Sequence, residues 1–101
     1  MRGRVSLVER EIICIDKAGH EKRITVFIGI PYKNGNAWAC PIEIKNLYKK
    51  LLDVVGVDSF QSLMLAIELI RSLLEDYVYQ GGKLLSTERK EITVKELFEG
   101  G

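Results

Sequence analysis

The sequence predicts an α+β domain in which an antiparallel meander of three to four strands packs against one long amphipathic helix, with a short C-terminal helix closing the chain. Three observations carry this. Strand-like runs separated by turn residues fill the first half, a helical repeat of apolar residues follows Asp58, and no repeat, linker or low-complexity tract divides the 101 residues. One domain spanning 1–101 accommodates them all, since a chain of this length hides roughly two thirds of its unfolded surface on folding.

The first run spans residues 5–15, the second 23–30 and the third 36–44. Between the first two lies DKAGH, where Asp16 suits a side-chain turn and Gly19 the positive φ of a bulged loop. Between the second and third lies KNGN, and Asn34-Gly35 is a strong hairpin signal because both residues tolerate left-handed backbone. The middle run, RITVFIGI, is apolar at Ile24, Val26, Ile28 and Ile30 on one face and at Phe27 on the other, which fits a central strand ending at Pro31. Residues 46–56 fit either a short helical turn or a fourth strand.

Asp58 suits a helix N-cap, with Gln61 three residues on to complete a capping box. Phe60, Leu63, Ile67, Ile70, Leu74 and Tyr77 then make an apolar stripe, opposite Gln61, Glu68, Ser72, Glu75 and Tyr79, and Gly81-Gly82 stops the helix. Arg71 is spaced to pair with Glu68 and Glu75. Leu65 falls in the polar arc beside Gln61, so these two residues form a candidate interaction surface for a partner protein or a second copy. After the helix, KLL suggests a short strand, and TVKELFE a last helix capped by Thr93 and Glu96.

Composition excludes several functions. Hydrophobic residues make up 47% and charged residues 29%, with a formal charge of +1, so no strong field draws nucleic acid or an anionic membrane surface. No apolar run is long enough for a signal core or a transmembrane span, and two cysteines cannot make a disulfide framework, so a cytoplasmic setting is expected. Cofactor and metal are both expected to be absent: no phosphate-cradling glycine motif occurs, and two isolated cysteines with His20 do not have zinc-ligand spacing.

Enzymatic chemistry finds little support. Cys40 would need a base to act as a nucleophile, and the one histidine sits in a predicted loop. Strand alternation instead puts Trp38, Cys40, Ile42 and Ile44 on one inward face, and Cys14 between two isoleucines reads the same way. Glu75 and Asp76 fit a solvated helix surface better than an acid–base dyad, so no catalytic residue is expected. The reading is a non-enzymatic protein-interaction module of immunity or accessory type. An alternative is a small-molecule-binding or enzymatic domain with a pocket between sheet and helix, near Trp38, Cys40 and Tyr77. A further alternative is a ubiquitin-like or sulfur-carrier protein that uses Gly100-Gly101.

Two segments carry a resemblance. FIGIPYKNGNAWACPIEI supplies Ile28, Gly29, Pro31, Trp38, Cys40, Pro41, Ile42 and Ile44, and VGVDSFQSL supplies Gly56, Asp58, Ser59, Gln61 and Leu63. Together they resemble a family of small, uncharacterised bacterial domains that pairs an IGxP...WxCPhxI segment with a GhDSLQAL helix start, where h is apolar. Phe60 and Ser62 stand where that family has Leu and Ala. The resemblance covers about residues 5–85 and implies an α+β domain in a bacterial cytosol, with no activity and no catalytic residue to carry over.

Overall fold

A computed structural model describes residues 5–100. Strands β1 (Ser6–Ile15) and β2 (Glu21–Gly29) form a long hairpin whose loop is held by Asp16. Its carboxylate accepts the amides of Ala18 and His20, each at 2.9 Å, and Gly19 takes φ +89° as its position requires.

The third run does not stay in one sheet. It divides at Pro41 into β4 (Ala37–Cys40) and β5 (Ile42–Lys45), and the Asn34-Gly35 turn joins β4 to a short new strand, β3 (Tyr32–Asn34), not to β2. A proline has no amide hydrogen for a ladder, and here it marks the change of partner. β5 pairs with β2, whereas β4 lies between β3 and β6 (Val54–Gly56). The ambiguous segment 46–56 therefore opens as a turn at Asn46 and Leu47 and ends as a strand.

Two antiparallel sheets result. The larger has the order β5-β2-β1-β7-β8, with β7 at Lys83–Leu85 and β8 at Glu91–Ile92, and the smaller the order β3-β4-β6. The α+β class is as the sequence predicts. The strand number is eight where three or four are expected, because the extra strands have only two to four residues each and give period-two alternation little length to show itself.

Helix α1 (Ser59–Tyr79) lies across the larger sheet and meets the smaller one at its N-terminal end. Ile12, Cys14, Ile24, Ile28, Ile42, Ile44 and Leu84 point at it, and Ala66, Ile70 and Leu74 point back, forming the core. The buried arc is centred on Ser62, Ala66, Ile70 and Leu74, so the predicted stripe is displaced: Phe60, expected inside, is 70% exposed, and Ser62 is buried. Ser62 is tolerated there because its hydroxyl donates to the Ser59 carbonyl at 3.0 Å. Ile13, Phe27 and Leu85 are buried on the other face of the sheet, outside this core. Charged neighbours help cover that face, as where the Lys45 ammonium sits 6.0 Å from the centre of the Phe27 ring.

Both ends of α1 are capped. Asp58 accepts the Gln61 amide at 2.7 Å, but the Gln61 side-chain oxygen accepts from Val57, one residue before the position a capping box uses. At the C-terminus Gly81 takes φ +106°, the Gly81 amide donates to the Val78 carbonyl and the Gly82 amide to that of Tyr77, which is the Schellman pattern. Arg71 donates to Glu75, as expected, and its second partner is Glu99, not Glu68. That second bond, at 2.7 Å, ties α1 to the terminal helix α2 (Val94–Glu99), whose Thr93–Glu96 capping box is complete.

Candidate functional site

The two segments that carry the resemblance come together at the junction of the sheets. Gly29 donates its amide to the Pro41 carbonyl at 2.8 Å, and a Cβ on Gly29 would lie 3.0 Å from the Pro41 ring. Gly56 is packed still closer, since a Cβ there would lie 2.5 Å from the Ser62 amide nitrogen. Only a glycine lets β6 run this near the first turn of α1. These contacts bring the end of β2 against Pro41 and β6 against the first turn of α1.

Cys40 belongs to the same junction. Its thiol is fully buried and donates to the Gly29 carbonyl at 3.5 Å. Burial, followed by the Asp53 carboxylate, pushes its pKa up, which is the reverse of what a nucleophile needs. Cys14 is likewise buried, and desolvation raises it to about 11. His20 is exposed in the hairpin loop beside Asp16, at 3.4 Å, and pairs with neither thiol. No group of three or more His, Cys, Asp or Glu placed to hold a metal occurs among the described residues.

Trp38, Cys40 and Tyr77 do not line a common pocket. Trp38 faces an open groove with Phe60 and Leu63 near the start of α1, Cys40 lies inside the core, and Tyr77 is fourteen residues further along the helix from Leu63, roughly 20 Å away. The Tyr77 ring packs directly on Gly82, and burial, with Cys14 and Asp16 nearby, pushes its hydroxyl up to about 12. Gln61 is occupied by the helix cap, and Leu65, 43% exposed, sits with Leu69 on the flank of α1 away from Phe60.

The surface feature that the sequence does not announce lies along β1. Strand β7 pairs with β1 only from Ile13 to Ile15, so over residues 6–12 the edge of β1 away from β2 has no neighbouring strand among the described residues. Two apolar hollows take in residues of this stretch of β1. One, of about 490 Å³, is walled by Leu7, Ile30, Pro31, Trp38 and Phe60. The next, of about 270 Å³, is walled by Val8, Val26 and Ile28 on the sheet and by Leu97 and Phe98 of α2. Arg10 lines the second hollow, and Lys33 lies 5.9 Å from the Trp38 ring beside the first. The sequence signal available was Phe60 itself, an aromatic residue in the first turn of a helix whose buried arc begins two residues later.

No helix among the described residues is long and apolar enough to cross a membrane. Gly100 takes φ +81° and closes α2 by donating to the Glu96 carbonyl, while Gly101 lies outside the described residues. No curated protein and no solved structure matches the chain. A family model does match, over residues 8–94, and on that match the chain belongs to the DUF6968 family, a domain of unknown function.

Proposed function

We propose that this domain is a non-enzymatic protein-interaction module that accepts an extended segment of a partner protein along the free edge of β1. The observation that supports it is that the stretch 6–12 of β1, whose side away from β2 has no neighbouring strand among the described residues, also helps wall two apolar hollows. An added strand would satisfy the backbone groups of the edge, and alternate side chains would enter the hollows. Arg10 and Lys33 favour a segment that carries carboxylates among its apolar residues. The alternating Glu9, Arg10 and Glu11 would then set the register and reject unmatched strands, since charges on an edge discourage indiscriminate pairing. The unlinked cysteines Cys14 and Cys40 support a reducing, cytoplasmic setting.

Selection from a displayed peptide library tests this. Enriched peptides should alternate apolar residues with one or more acids, should slow hydrogen exchange of amides in the 6–12 segment, and should lose at least tenfold in affinity to Phe60→Ser. Peptides that bind Phe60→Ser equally well would overturn the proposal. So would a stable homodimer that Phe60→Ser dissociates, since it would make a second copy the occupant of this edge.

A further inference from the structure

At the β5 edge of the larger sheet, β5 ends at Lys45, and from Arg23 back to Glu21 the side of β2 away from β1 has no neighbouring strand among the described residues. Asn46 turns the chain there with φ +73°, its side chain donating to the Arg23 carbonyl at 2.9 Å. The amides of Leu47 and Tyr48 both return to the Ile44 carbonyl, at 3.2 and 3.1 Å. Leu47, Tyr48 and Leu51 are half-buried against the core, so three apolar anchors hold the loop down while the residues between them face water.

A cleft of about 650 Å³ opens at this corner, and Lys22, Lys45, Lys49 and Lys50 line it. Glu43 is the one carboxylate in the lining. Elsewhere on the surface Arg23, Arg71 and Arg89 each hold a carboxylate, whereas none of these four lysines has one within ion-pair distance among the described residues. A chain with a net charge of +1 thus sets four lysines against one glutamate around one cleft. The Lys45 ammonium leans toward the Phe27 ring, which leaves Lys22, Lys49 and Lys50 as like charges around the cleft, and an anion between them would relieve their repulsion.

We infer that this cleft binds a compact phosphate-bearing ligand. Ammonium groups on flexible stems serve phosphate as point charges from several directions, and Leu47, Tyr48 and Leu51 offer a non-polar wall to the rest of the molecule. The charge is confined to one corner and makes no stripe, which fits a small polyanion better than an extended one. This site lies at the β5 edge of the sheet, beyond β2 from β1, and shares no lining residue with the proposed partner surface.

Titrating the isotope-labelled chain with sodium pyrophosphate at low salt tests the assignment. Saturable shifts are expected at Lys22 and residues 45–51. Affinity should fall at least fivefold between about 50 and about 300 mM sodium chloride, because ion release opposes binding as salt rises. The double variant Lys49→Gln/Lys50→Gln should weaken binding at least tenfold, and Lys90→Gln/Lys95→Gln, which removes equal charge elsewhere, should leave it within twofold. Sedimentation with anionic phosphatidylglycerol vesicles distinguishes the source: binding to vesicles that pyrophosphate displaces assigns the phosphate to a lipid headgroup, and its absence assigns it to a free ligand. Shifts that never saturate, or equal losses in both double variants, would overturn the inference. A single-stranded oligonucleotide that binds far more tightly than pyrophosphate, with shifts spread beyond the cleft, would also overturn it.

Discussion

The junction around Gly29, Pro41 and Gly56 and the lysine cleft at the end of β5 lie at opposite extremes of how side chains are used. At the junction, backbones approach to contact, a proline and two glycines are fixed by their neighbours, and the one reactive group, the Cys40 thiol, is desolvated. At the cleft, four lysines hold no carboxylate among the described residues, and the backbone beneath them is held by Asn46 and three apolar anchors. The most recognisable residues of the sequence are therefore packed into the fold, and the lysines of the cleft come from two stretches with no recognisable pattern. A short motif of glycines, prolines and a cysteine is thus no guide to an active site until the room around each residue is known.

Substitutions should separate the two regions. The largest effect is expected inside the core that the junction braces: Ile70→Ala should cost about 4 kcal/mol in urea unfolding, because the side chain is fully buried and the cavity closes only in part. Phe60→Ala, at a position the sequence periodicity groups with Ile70, should stay within about 0.5 kcal/mol. Equal costs would mean that the buried arc of α1 is misassigned. Next comes Gly56→Ala, expected to cost about 3 kcal/mol, since the added methyl meets the backbone of Ser62, which cannot rotate away. A neutral result there would show that β6 and α1 are further apart than described.

Asp58→Ala should cost about 1 kcal/mol by freeing the Gln61 amide, with Asp58→Asn largely preserving stability. The thiols give a pH signature. Burial raises Cys14 from 9.0 to about 11, so between these values the unfolded chain releases a proton that the folded chain keeps, and stability should fall as pH rises through that window. Cys40, Tyr48 and Tyr77 are raised too and act in the same sense, and Cys14→Ala should flatten the slope. Smallest of all, Lys49→Gln/Lys50→Gln should leave unfolding within about 0.5 kcal/mol of the parent while changing pyrophosphate binding, the pattern that most directly sets the cleft apart from the junction.

Local chemistry made much of the fold legible. The Asp16 and Asn34-Gly35 turns, the Asp58 and Thr93 caps and the Gly81 stop each depend on residues within a few positions of one another. What sequence could not supply were pairings set by distant neighbours. Pro41 could be read as a strand end, but that the chain changes sheets there depends on β2 and β6, which lie far from it in sequence. Phe60 was misplaced because helical periodicity fixes which residues share a face without saying how far the small sheet extends over the first turn. The cleft was invisible for a related reason: Lys22 reaches it from a different strand than Lys45, Lys49 and Lys50, and only the pairing of β2 with β5 brings them together.

The pairing of β7 with β1 has a kinetic consequence. Ile13 faces Leu85 and Cys14 faces Leu84, so this ladder must close a loop of most of the chain, whereas the β1–β2 hairpin closes over five residues. Loop closure grows costlier with length, and contacts between distant residues form late. The hairpin and α1 should thus be structured before β7 docks, and the C-terminal segment, clasped to the start of β2 by the two bonds from Arg89 to Glu21, should be the last to arrive and the first to open. Pulsed hydrogen exchange during refolding would then protect the amides of β1 and β2 before those of Lys83–Leu85.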